Sequence, residues 1–183
     1  MSVIGFVGLP GSGKSEAAAV AEERGIPVVT MGDVIRAACR ERGLDPATEH
    51  GRVAQALREE NGPAAIADRS LPIIESELDD SETVVVDGIR SDAEVDRFEE
   101  AFGDQFRLVR IEAPFETRKA RLDLRGRDAG DEEGGESLSE RDQRELDFGM
   151  GEAMDRADLV VENTASLAAF RERITDILTQ RTQ

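Results

Sequence analysis

Tryptophan and tyrosine are absent from these 183 residues, and the aromatics are phenylalanines that make up only 4% of the chain, too few to build a platform for stacking unpaired bases. Cys39 is the one cysteine, which excludes an internal disulfide and any zinc site of several cysteines. His50 is the one histidine and is expected at the surface rather than as a ligand. The start, Met-Ser and then a short apolar run, has neither the charged opening nor the long apolar centre of a signal peptide. No stretch approaches a membrane span, so a cytoplasmic protein without a membrane partner is expected. Lysine is almost missing as well, confined to Lys14 and Lys119.

Acid dominates what remains: 40 Asp and Glu against 23 Lys and Arg give a formal charge of −17, which repels nucleic acid and anionic membranes. An acid-rich, lysine-poor, arginine-using composition resembles that of proteins from salt-loving archaea, where concentrated cations screen the self-repulsion. The alternative is an acidic face for a basic partner. With 39% apolar and 34% charged residues the chain reads as soluble and globular, and its length suits one domain over 1–183.

Apolar runs at Val3 to Val7, Pro27 to Thr30, Thr83 to Asp87, Phe106 to Ile111 and Asp158 to Glu162 alternate with helical stretches. That order predicts an α/β fold, a five-stranded mostly parallel sheet flanked by helices, because parallel neighbours need long crossovers. The core is expected at 1–31, 81–124 and 157–183. A helical substrate flap would occupy about 32–80, punctuated by Gly43, Pro46, Gly62, Pro63 and Pro72. A glycine- and acid-rich segment, Arg125 to Glu140, cannot pack a core and opens a lid of about 125–156.

Gly8-Leu9-Pro10-Gly11-Ser12-Gly13-Lys14-Ser15 fills every fixed position of the phosphate-loop pattern, directly after a predicted strand and before a predicted helix. Its glycines let backbone N–H groups converge on phosphate oxygens, the helix start adds its positive dipole end, and Lys14 adds a full charge. Ser15 offers a hydroxyl to Mg²⁺. The expected ligand is Mg·ATP. Val84-Val85-Val86-Asp87 ends a strand in a carboxylate placed to hold Mg²⁺, while Ser91 and Asp92 are better placed to cap the next helix.

Gly32-Asp33-Val34-Ile35-Arg36 and Asp87-Gly88-Ile89-Arg90 are similar to the acceptor-binding motifs of adenylate kinase and dephospho-CoA kinase. With the phosphate loop they make the chain resemble the nucleoside-monophosphate-kinase type of P-loop fold. More narrowly it resembles an archaeal family of P-loop kinases in which MGDVIR, LREENG, VDGIRS, RGR, ERDQREL, FGMGE and ADLVVEN stand in this order. The resemblance implies Asp33 as base for an acceptor hydroxyl, or else only as a helix cap, and Arg36 and Arg90 as clamps on an acceptor phosphate. It implies Arg127, Arg141 and Arg144 as lid cations for the transferred phosphoryl group, which otherwise would neutralise Asp142, Glu145 and Asp147. Asn163 falls where such kinases bring backbone against adenine. Phe98, Phe102 and Phe106 read as core packing, and Phe148-Gly149-Met150-Gly151 as a turn or lid hinge. The second motif lacks the proline of adenylate kinases, and a single acid stands where dephospho-CoA kinases carry two, so the acceptor stays open.

The activity these expectations describe is transfer of the γ-phosphoryl group of ATP to a small nucleotide-like acceptor. The alternative is a binding protein whose lid closes on ATP to present a surface, with slow hydrolysis only.

Overall fold

The computed structural model describes residues 1–129 and 137–179, the side chains of 125–129 excepted. Five strands form one sheet: β1 (Ser2–Val7), β2 (Val28–Thr30), β3 (Thr83–Asp87), β4 (Phe106–Glu112) and β5 (Leu159–Glu162). Their order is β2-β3-β1-β4-β5 and every pairing is parallel. Each strand reads as a near-continuous apolar run because a parallel sheet is covered on both faces. Side chains alternate between those faces: Val3, Val7, Val84 and Val86 join one core cluster, and Ile4, Phe6 and Val85 the other.

Helices α1 (Lys14–Glu23) and α9 (Leu167–Thr179) cover the second face with Ala17, Val20, Phe170 and Ile174. The opposite face is covered by α2 (Met31–Glu41), α3 (Pro46–Asn61), α4 (Ala65–Asp80) and α5 (Asp92–Phe102). The first three occupy the segment 32–80 that was expected to be a helical flap. Asp45 caps α3, its carboxylate accepting from the Ala47 N–H at 3.0 Å with Pro46 just inside. Gly62 ends α3, but Pro72 does not end α4, which continues through it. Buried Ile66, Leu71 and Ile74 hold α4 on the core on both sides of the missing N–H. Phe98 and Phe106 pack in the same core with ring centroids 5.7 Å apart.

After β4 the chain enters α6 (Phe115–Ala129), and it is next described at α7 (Leu138–Glu145). Ser137 and Glu140 form a reciprocal capping box at the start of α7. Residues Leu146–Met150 then make a π-helical turn with Gly149 at φ 116°, bending the chain into α8 (Gly151–Asp155). Phe148-Gly149-Met150-Gly151 is thus a kink, with Met150 pinned in the core. Among the described residues no helix is long and apolar enough to cross a membrane.

Candidate functional site

The chain passes from β3 on one side of β1 to β4 on the other, so β1 lies at the switch point, and ligands gather outside the carboxyl ends of strands at such a point. The loop Gly8 to Gly13 follows β1 there and α1 starts at Lys14. Gly8 has φ 153°, and a Cβ on it would lie 2.2 Å from the Ile111 carbonyl oxygen. Gly13 has φ 121°, and a Cβ there would meet Asn163 Nδ2 at 2.4 Å. Both backbone shape and closeness therefore demand glycine.

The loop's carbonyls are engaged from outside. Arg118 donates to the Pro10 oxygen at 3.1 Å, and Arg121 to those of Gly11 and Ser12, each at 3.3 Å. Asn163 Nδ2 donates to the Ser12 oxygen at 2.9 Å, while its own carbonyl accepts from Arg121 at 2.7 Å. The Ser12 N–H closes a turn onto the Leu9 carbonyl at 3.1 Å, and the loop's other N–H groups at the start of α1 are the donors an anion would meet. Buried Asn163 thus acts on the loop through its side chain.

Gly8, Pro10, Gly11, Lys14 and Ser15 border an inner cavity of about 340 Å³. Lys14 Nζ folds back to donate to the Gly8 oxygen and, at 3.3 Å, to the Leu9 oxygen. Burial lowers the Lys14 pKa to about 8, opposed by Asp87 and Glu145 and assisted by Arg90 and Arg141. Asp87 pairs in register with Phe6 and Thr30, which sets it on the cavity floor at the strand edge. Burial raises its pKa, with Lys14 pulling the other way, and Asp87 Oδ1 is buried without a hydrogen-bond partner. An exposed Ser15 hydroxyl and an orphaned carboxylate oxygen fit Mg²⁺, which takes few protein ligands beside phosphate and water. Among the described residues no cluster of three His, Cys, Asp or Glu offers a full protein cage.

Arg36, Arg90 and Arg141 also line the inner cavity. Arg90 donates to Glu145 at 3.0 Å, and its backbone N–H to Glu94 at 2.8 Å. Arg144 lines a second, outer cavity of about 820 Å³ that adjoins the first through shared walls. Of the acids near Arg141 and Arg144, Asp142 also holds Arg118, Glu145 also holds Arg90 and Asp147 also accepts from Gln143. The side chain of Arg127 lies outside the described residues.

Asp33 is not brought in. Helix α2 starts at Met31 with Thr30 as its cap, so Asp33 lies in the first turn rather than at the cap position. Its side chain is 68% exposed and accepts from Arg36 Nε at 2.8 Å. Its effect on the cavity therefore passes through Arg36. His50 corrects the expectation in the other direction: it lines both cavities, and its Nε2 is buried. Burial lowers its pKa, with Gly32 backbone opposing and Arg36, Arg90 and Arg58 assisting.

Sequence reasoning missed Arg58, Glu94, Glu145, Arg118 and Arg121. The first three line the cavities, and the last two hold the loop from α6. They stand in helices already rich in charge, so no local signal singles them out, and the residues that Arg58, Glu145, Arg118 and Arg121 meet lie far away in the chain.

A glycine loop at the carboxyl edge of an all-parallel β2-β3-β1-β4-β5 sheet, with a lysine and a strand-end acid facing one cavity, defines a P-loop nucleotide-binding fold of the kinase-like type. Residues 4–146 match the family model described as an AAA domain. The chain is 61% identical over 178 residues to a UPF0200 protein of Halobacterium salinarum, covering 97% of this chain and 93% of that one, and it belongs to the UPF0200 family. In fold it is similar to shikimate kinase from Acinetobacter baumannii (TM-score 0.56, 17% identity, 97% of this chain and 91% of that one). It is similar as well to a gluconokinase from Sinorhizobium meliloti (TM-score 0.56, 19% identity, 97% and 93% covered).

Proposed function

We propose that the chain is an ATP-dependent phosphotransferase that moves the γ-phosphoryl group of Mg·ATP to a hydroxyl or phosphate of a small nucleotide-like acceptor, as its resemblance to adenylate and dephospho-CoA kinases implies. The observation that carries this reading is that Lys14 and Asp87 face one cavity which adjoins a second, arginine-lined one. A nucleotide site alone has no use for the second chamber.

Phosphoryl transfer needs positioning and charge stabilisation more than covalent help. The loop N–H groups and Lys14 would hold the β- and γ-phosphates. Ser15 and Asp87 would hold Mg²⁺, which would supply positive charge against the phosphates. Arg36 and Arg90 would clamp the acceptor, with Asp33 orienting Arg36. Arg141, Arg144 and Arg127 would meet charge developing on the transferred group, as preorganised cations in a water-poor site do. Asn163 would keep the loop in shape beside the base.

The test is ATP consumption with Mg²⁺ in concentrated KCl, with and without a panel of nucleoside monophosphates, dephospho-CoA and hydroxy acids. Stimulation by one compound that Lys14→Ala abolishes supports the proposal. ATP binding without stimulation by any of them, alongside a protein partner captured only with ATP, favours an ATP-gated binding protein instead.

A further inference from the structure

Arg58 and His50 line both cavities, as do Ile35, Arg90 and Glu145, and so form the waist between them. Two polar atoms in that waist are left unserved. Arg58 Nε and His50 Nε2 are buried and meet no hydrogen-bond partner. Leaving such a group unpaired costs about 1–3 kcal/mol, and more when it is charged, so a fold that keeps two in the wall between the same two cavities is holding them for something. Arg58 Nη2 lies 3.6 Å from Glu94, but Glu94 also accepts the Arg90 N–H, and Glu145 is taken up by the Arg90 side chain. The His50 imidazole lies against the Gly32 backbone and feels the charges of Arg36 on α2, Arg90 after β3 and Arg58 on its own helix. Arg36 has Asp33, Arg58 has Glu94 and Arg90 has Glu145, so what this waist is short of is acceptors for Arg58 Nε and His50 Nε2, which the oxygens of a bound anion would supply.

The outer cavity supplies the rest of the description. Its volume of about 820 Å³ is in the upper part of the range of roughly 300–1,000 Å³ typical of small-molecule pockets. Ile35, Ala54, Pro63 and Phe148 give it apolar walls. Phe148 is 42% exposed, and the Arg58 guanidinium stacks 4.5 Å from its ring centroid, so two flat groups stand together at the chamber's edge. A compact polyhydroxylated acid would satisfy the cations and leave this chamber empty.

We infer that the waist is an anion seat built by Arg58 and His50 with Arg36 and Arg90, and that the outer cavity holds the body of the same molecule. The second substrate therefore carries a phosphate or carboxylate joined to a flat, largely apolar body. Its standing as a substrate rests on the phosphotransferase reading; its binding does not.

Calorimetric titration of the full chain tests this, with the phosphate loop filled by Mg²⁺ and a non-hydrolysable ATP analogue. The probes are nucleoside 5′-monophosphates and aryl carboxylates, which have both parts, the matching nucleosides, which lack the anion, and inorganic phosphate and acetate, which lack the body. At least one two-part compound binds tenfold or more tightly than both of its halves, and whether it is a phosphate or a carboxylate identifies the anion. Arg58→Gln and His50→Ala each lower that affinity at least tenfold. If Arg58→Gln does not fold, judged by its melting transition, His50→Ala and Phe148→Ala carry the test. Equal binding of nucleoside and monophosphate, full affinity in the variants, or no binding by any two-part compound overturns the inference. A two-part compound that binds but is never phosphorylated leaves the seat standing and removes the kinase reading. A compact polyol phosphorylated at full rate by Arg58→Gln does the reverse.

Discussion

Arg118 and Asp142 form a buried two-pronged ion pair, 2.9 and 2.7 Å, between α6 and α7. The same guanidinium donates to the Pro10 and Ala113 carbonyls, so α7 is tied through one side chain to the phosphate loop. Arg141 and Arg144, which stand on α7 beside Asp142, are thereby positioned relative to the nucleotide cavity. Asp142→Ala is expected to cost about 3–5 kcal/mol, because it strands a buried charge. Arg118→Met with Asp142→Leu should recover most of that stability yet still weaken ATP binding, since the Pro10 carbonyl of the loop loses its donor. Denaturant melts and ATP titrations of the two variants check both halves.

Lys14 carries a pH signature. Its folded pKa of about 8 lies below the ordinary 10.5, so between those values the unfolded chain binds more protons and this group's contribution to stability rises with pH. Below pH 8 the lysine is charged in both states and its burial counts against the fold. Polyphosphate restores the charged form, so ATP binding takes up protons in the window from 8 to 10.5 and weakens as pH climbs through it. Calorimetry in two buffers of different ionisation heat reads the uptake directly, and Lys14→Ala abolishes it.

Asp87→Asn separates function from stability. Burial raises the carboxyl pKa, so the charged form is disfavoured in the fold and subtracts stability above that pKa. Removing the charge should leave the melting temperature unchanged or higher. Mg²⁺-dependent turnover should fall on the order of 10²-fold or more, in the range found when one electrostatic stabiliser of a transition state is removed.

Two glycine variants distinguish closeness from backbone strain. Gly25→Ala at φ 71° meets no atom within 4 Å and should cost about 1–2 kcal/mol, with ATP affinity intact. Gly13→Ala at φ 121° would drive Asn163 off the Ser12 carbonyl and should lose ATP binding as well. Parallel melts and titrations suffice.

How much of this was legible depended on the range of the interaction. The strands were readable because burial on both faces leaves continuous apolar runs such as Val84 to Val86, and the phosphate loop because its demands fall on adjacent residues. Ser91 capping α5 was readable for the same reason: its hydroxyl accepts from Glu94 N–H, three residues on. Pro72 misled because a local rule gave way to tertiary burial, and Asp33 because helix α2 begins at Met31 and turns it outward. His50, Arg58, Arg118 and Arg121 were illegible. What places each in the site is the packing of helices far apart in sequence, and no spacing along the chain records it.

A phosphotransferase must move phosphate from ATP to another molecule. Incubation with γ-labelled ATP, Mg²⁺ and the acceptor panel, followed by chromatographic separation, measures that directly. Label recovered in an acceptor product, and absent from it with Lys14→Ala, is the result predicted. Label that appears only as inorganic phosphate with every acceptor, at a rate none of them raises, would contradict it.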